Sequence, residues 1–274
     1  MSEPETKHCF SSIQSFLERT AFAVRFYSRL PLPPFPWEKS PYDMPSFGQI
    51  ILWLPAAAFT IAIPGTLVLA LALWVGLSPW IAAALAIAST TLATGAFHED
   101  GLADVADGWG GGYTLERRLS IMGDSLLGSF GVCALILNFT LRIGGLAAII
   151  THTSIPGACA ALLIAAIISR VSTLYIIVYI PPVTLPEATY TAETFKPSLY
   201  LGSLSIAFAA CVLLGFYFFS FTGLLLVLIL QLLFSYLFGR LSLKMISGQT
   251  GDVAGAAEQI SEIICFLVLS LFCL

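Results

Sequence analysis

Seven apolar segments divide this chain, at roughly 47–74, 79–97, 126–150, 154–180, 199–219, 221–239 and 258–274. The first six are long enough to cross ~30 Å of hydrocarbon as helices. In lipid every backbone N–H and C=O must be satisfied within the protein, so spanning segments are helices or strands of closed barrels. No strand-length alternation of the barrel kind is visible. Only 10% of residues are charged and 58% are hydrophobic, against about 25% charged in an ordinary soluble domain. Mean hydropathy is +0.91. These features predict an all-α, polytopic integral membrane helical bundle of about six to seven transmembrane helices. The last segment is the weakest span, being short and opening with Glu258 and Glu262. Pro55 and Pro64 are expected to kink the first span.

Residues 1–46 read as an N-terminal interfacial segment ahead of a transmembrane domain over 47–274. Within it, 10–30 has the pattern of an amphipathic helix: Ser11, Gln14, Glu18, Arg25 and Arg29 share one stripe, while Phe10, Ile13, Phe16, Leu17 and Val24 point elsewhere. It fits equally a helix lying in the membrane surface and an ordinary packed surface helix. Pro31, Pro33, Pro34 and Pro36 end it. No cleavable signal peptide is expected. The six cysteines form no CxxC pair and lie mostly in apolar runs, so they read as small hydrophobes. The net charge of −4 says little, because the charges gather in a few loops.

Those loops orient the chain. Arg19, Arg25, Arg29 and Lys39 precede span one; Arg117 and Arg118 separate spans two and three. Lys196 separates four and five, and Arg240 and Lys244 separate six and seven. All fall on one side, which the positive-inside rule makes cytoplasmic. Loops 98–125, 181–198 and 240–257 then share that face. Arg142, inside span three, would sit toward the opposite face and snorkel. No internal repeat is visible, so an inverted-repeat transporter gains no support.

The stretch FHEDGLADVADG, 97–108, follows span two directly. Taken as a helix, it puts Asp100, Asp104 and Asp107 at i, i+4 and i+7, within roughly 60° of arc. In a shielded site of effective dielectric near 20, each pair ~6 Å apart would cost on the order of 3 kcal/mol. A divalent cation removes that cost, and oxygen-only ligands favour Mg²⁺ or a similar hard ion. The alternative is a solvated acidic loop. Gly108 and Gly110 to Gly112 end the helix.

Other candidates surround it. Arg117 or Arg118 would clamp phosphate bidentately, or simply be positive-inside charge. Asp124 and Ser125 stand where an N-cap is expected, yet a fourth metal carboxylate or a phosphate contact also fits there. Ser169 and Arg170 lie inside span four, where the arginine needs an aspartate, a backbone carbonyl or a bound anion, and a structural ion pair with an aspartate of the cluster is the plain alternative. In Gly248-Gln249-Thr250-Gly251-Asp252 the backbone could nest an anion, with Gln249 and Thr250 beside it, or Asp252 could reach a metal. A plain capping turn is the rival reading. His98 is a candidate general base, against a structural histidine. No nucleic-acid signal, P-loop or dinucleotide fingerprint is present.

Together these residues resemble one family, cobalamin synthase (adenosylcobinamide-GDP ribazoletransferase). The matching stretches are FYSRLPLP (26–33), FHEDGLADVADG (97–108), ERRLSIMGDSLLGSFGV (116–132) and GQTGDVAGAAE (248–258), with Ser169-Arg170 a weaker fifth. They run from the N-terminal helix to the last span. Two positions depart: Glu99 where the family commonly has an apolar residue, and Ser247 where a glycine is usual. The resemblance implies an Mg²⁺-dependent enzyme of the bacterial or archaeal plasma (inner) membrane, with its active site facing the cytoplasm. It would join adenosylcobinamide-GDP to α-ribazole or its 5′-phosphate and release GMP. A homo-oligomer is compatible with the sequence.

On this reading Asp100, Asp104, Asp107 and Asp124 bind metal, and Asp104, Asp107 or His98 takes the proton of the attacking hydroxyl. Arg117, Arg118, Ser125, Arg170, Gln249, Thr250 and Asp252 would contact substrate. Two rival classes share part of this pattern. Asp104-x-x-Asp107-Gly108 mimics the opening of the CDP-alcohol phosphatidyltransferase signature, but the Ala-Arg pair expected after it is absent. A cation-coupled transporter would place the carboxylates near the membrane midplane.

Overall fold

The computed structural model describes residues 3–38, 47–183 and 195–274, so Lys39, the end of the interfacial segment and most of the 181–198 loop lie outside the described residues. Helices α1 (Glu3–Tyr27), α2 (Phe47–Ile50) and, after a 3₁₀ turn at Ile51–Trp53, α3 (Leu54–Trp74) open the chain. Then come α4 (Pro79–Thr94), α5 (Phe97–Gly111), α6 (Leu115–Met122), α7 (Ser129–His152) and α8 (Ile155–Tyr179). The last three are α9 (Pro197–Gly215), α10 (Phe221–Ile246) and α11 (Gly251–Ser270). Six helices are long and apolar enough to cross a membrane, or seven if α4 and α5 count as one broken span bent by 90°. The protein is a multi-pass helical membrane bundle.

The weak span is therefore not the last one. α11 has 20 residues and qualifies by itself, whereas α4 has only 16 and does not. Glu258 and Glu262 do not break α11, because they face the bundle interior at 1% and 7% exposure.

The bundle is centred on α8, of which nearly every residue from Ile164 to Leu174 is buried. Alanines at 158, 161 and 165 let neighbouring helices approach it closely. Leu67, Leu71, Ile136, Leu137, Leu213 and Leu233 are exposed on the outer helices, as lipid-facing side chains are. α1 packs inward through Ala23, Val24 and Tyr27.

Both ends of the bundle are sewn together. At one end Phe219 pairs with Cys273, and Ser220 N–H donates to Phe272 O at 3.1 Å. At the other, the chain after α8 pairs with the α10–α11 loop: Gln249 N–H donates to Pro181 O at 2.9 Å and Val183 N–H to Gln249 O at 3.0 Å. Ser247 ends α10 at φ +58, in the left-handed region that glycine adopts without steric cost. That gives the departure at this position its physical content.

Candidate functional site

The site is built on a bend. Gly95 and Ala96 are both left-handed, at φ +68 and +62, and they turn α5 away from α4 by 90°. Such a conformation costs an alanine about 1–2 kcal/mol, so it must be held from outside. Ala96 N–H donates to Thr91 O at 2.9 Å, and Arg29 N–H donates to Ala93 O at 2.7 Å. The Arg29 side chain lies over Gly95, where any Cβ would strike it. The FYSRLP stretch is thus the brace of the bend.

Beyond the bend, α5 presents its acidic face. Asp100 is exposed, Asp104 half-buried and Asp107 buried. Burial, followed by the charges of Asp100, Asp252 and Asp107, pushes the Asp104 carboxyl up to about 6. Asp252 comes from the first turn of α11, which meets α5 at Gly101; a Cβ there would lie 2.9 Å from the Asp252 backbone. Glycine is required for that approach. Thr250 caps α11 by accepting from Val253 N–H at 3.4 Å, and its hydroxyl donates to Asp252 Oδ2 at 3.2 Å. The capping turn and the carboxylate at the acidic face are therefore the same structure.

Asp107 differs from its two neighbours. Its Oδ2 accepts from Gly128 N–H at 2.7 Å and its Oδ1 from Gly131 N–H at 2.9 Å. It caps the N-terminus of α7, where exposed N–H groups favour an anion, and both glycines lack room for a Cβ because the carboxylate fills it. Asp124 stands apart: it is exposed, accepts from Leu126 N–H at 3.1 Å, and is not among the charges acting on Asp104. Ser125 is exposed in the same loop. The carboxylates that meet at the α5–α11 contact are Asp100, Asp104 and Asp252.

Among the described residues no three His, Cys, Asp or Glu side chains form a ready-made metal cage. Mg²⁺ is usually held by one or two carboxylates together with substrate phosphates and water. The oxygen-only set at the α5–α11 contact suits such an ion.

The two arginines divide. Arg118 Nε donates to Gly112 O at 3.0 Å and its Nη1 to Met245 O at 2.9 Å, so it binds the C-terminal ends of α5 and α10. Arg117 is exposed and only its backbone N–H is engaged, with the Thr114 cap at 3.2 Å. Arg117 is the one available to phosphate.

His98 points about 200° around α5 from Asp100. It is 2% exposed, stacked on Tyr27 at 6.2 Å, with Nδ1 3.9 Å from Glu258 Oε2. It does not share the acidic face, which removes it as a base there. Arg170 is 4% exposed and ion-paired with Glu258, which Ser169 Oγ also approaches at 3.2 Å. The anion it needs is a carboxylate of the protein. Arg142 does not snorkel: it is 2% exposed and paired with Glu99 at 3.0 Å and Glu262 at 2.6 Å. This interior network, with Gln259 and Asn138, escaped sequence reasoning. An arginine within a span and two glutamates opening another were its visible traces.

A family model described as cobalamin-5-phosphate synthase matches residues 19–270. Among curated proteins, the adenosylcobinamide-GDP ribazoletransferase of Bradyrhizobium diazoefficiens is 42% identical over 219 residues, 80% of this chain and 82% of its own. Proteins of the same name from Azorhizobium caulinodans and Xanthobacter autotrophicus are 37% and 38% identical, covering 88% and 91% of this chain and 90% and 94% of theirs. No solved structure matches it.

Proposed function

The chain belongs to the cobalamin-5-phosphate synthase family, and from that premise we propose how its acidic rim performs the transfer. The protein is a transferase of cobalamin nucleotide-loop assembly, acting on adenosylcobinamide-GDP. Membership leaves the CDP-alcohol and transporter readings without support. The acceptor is α-ribazole or its 5′-phosphate. Its hydroxyl oxygen forms a bond to the cobinamide-linked phosphorus, the bond from that phosphorus to GMP breaks, and the hydroxyl proton leaves.

Asp100 and Asp104 of α5, with Asp252 of α11, would hold Mg²⁺ at the α5–α11 contact. Bound there, the ion supplies positive charge to the diphosphate and its leaving group. Asp104 also takes the hydroxyl proton, as the carboxylate whose affinity for a proton is raised. Arg117 neutralises the outer phosphate oxygens. Asp107 holds α7 against α5, and Arg118 holds α6 against α10, so both position the site rather than touch substrate. Arg117 and Arg118 in α6, Lys196 ahead of α9, and Arg240 and Lys244 in the last turns of α10 lie at this end, which supports a cytoplasmic site in the plasma membrane.

The observation that carries the reading is the convergence of Asp100, Asp104 and Asp252 where α5 abuts α11. The test is incubation of the purified protein with GDP-cobinamide, α-ribazole and Mg²⁺, with detection of GMP. Asp104→Ala should abolish release yet leave a folded, membrane-inserted protein; retained turnover would overturn the assignment.

A further inference from the structure

Arg142 ties together the two helices that carry the aspartates. It reaches across from α7, where its Nη1 donates to Glu99 Oε1 of α5 at 3.0 Å and to Gln259 Oε1 of α11 at 2.9 Å. Its Nη2 donates to Glu262 Oε2 of α11 at 2.6 Å. The same Glu99 oxygen accepts from Thr91 Oγ1 of α4 at 2.8 Å, just before the bend. Asn138 Nδ2 donates to Gln259 Oε1 at 2.7 Å, which fixes that side chain from α7 as well.

Glu99, Arg142, Gln259 and Glu262 line a cavity of about 20 Å³ below the rim, room for about one water. Besides the packing of Gly255 against His98, α5 meets α11 at two levels. One is the backbone contact of Gly101 with Asp252 at the rim. The other is the Arg142 bridge in the interior. Glu99 adjoins Asp100 in sequence, so whatever holds one holds the other.

Stability does not account for this bridge. Buried ion pairs contribute little beyond what well-packed apolar residues would, and charge among membrane spans is costly and rare without a function. A guanidinium is a rigid planar fork that fixes several acceptors at once. Here the acceptors belong to the two helices whose spacing decides whether three carboxylates share one ligand.

We propose that Arg142 is a positioning residue: by joining Glu99 to Gln259 and Glu262, it sets the spacing of Asp100 and Asp104 from Asp252. This rests on the reading of those aspartates as the metal and diphosphate site. Lysine keeps the charge but cannot fork, so Arg142→Lys is the informative variant.

The experiment uses the full chain purified in detergent, with three readouts: amide hydrogen exchange of residues 97–111, Mn²⁺ binding by electron paramagnetic resonance, and GMP release titrated with Mg²⁺. The variant should exchange faster over 97–111 while α8 and α9 stay as protected as in the wild type. Mn²⁺ half-saturation should rise about tenfold or more, and excess Mg²⁺ should recover part of the lost turnover. Glu99→Gln, which keeps a neutral acceptor, should fold and shift the same quantities by less, and it decides the matter if Arg142→Lys does not fold. Unchanged exchange over 97–111 together with unchanged Mn²⁺ half-saturation would overturn the proposal. If the wild type turns over but binds no Mn²⁺, the metal reading fails by itself, and hydrogen exchange still decides the role of Arg142.

Discussion

Asp104 shows what a poised carboxylate does to its own fold. Its carboxyl titrates near 6, above its ordinary value, because burial and the neighbouring aspartates disfavour its charge. The folded state therefore binds that proton more tightly than the unfolded chain, so metal-free protein gains stability from this group as pH falls below about 6 and is weakest in it above that pH. Without divalent cation, Asp104→Asn should raise the thermal midpoint in detergent at about pH 7.5 and narrow its gap from the wild type toward pH 5, while abolishing GMP release. A midpoint equal to or below that of the wild type at the higher pH would contradict the crowding of charge described here. The helical spacing made the three aspartates legible as one face. It could not show that Asp107 is occupied by the amides of Gly128 and Gly131, 21 and 24 residues further on, nor that Asp252, already a candidate carboxylate in the sequence, stands close enough to Asp104 to disfavour its charge.

At the scale of the element, α5 is a short helix held by what surrounds it. Its existence and its glycine-rich end were readable from residues 97–112, but its 90° turn was not, because a left-handed Ala96 contradicts local preference. The Arg142 network was equally hidden: its partners lie 43 to 120 residues away, and hydropathy patterns carry no information about which buried charge meets which. Packing gives the clearest test of the element. Gly101→Ala places a methyl against the Asp252 backbone, and overpacking of this kind costs typically ~1–3 kcal/mol. It should lower both the thermal midpoint and turnover. Gly251→Ala, which meets open space, should leave turnover close to wild type. Equal effects of the two would show that the α5–α11 contact does not matter.

At the scale of the molecule, the spans and their order were legible, because lipid leaves a chain so few ways to satisfy its backbone. The misjudged span was the second, whose apolar run continues in sequence past the point where its helix stops at Thr94. The sidedness of the whole is open to direct measurement. With Cys9 changed to serine, Glu116→Cys should react with a membrane-impermeant maleimide only from the cytoplasmic side, and Ser78→Cys only from the other. The reverse pattern would place the aspartates outside the cell, away from their nucleotide.

The brevity of α4 bears on the lipid around it. Sixteen residues reach about 24 Å, short of a hydrocarbon layer ~30 Å thick. Where a wall is lower than its surroundings the bilayer must dip to meet it. The enzyme would then sit in a shallow dimple of its own making, and the aqueous surface would lie nearer the bend that carries the aspartates.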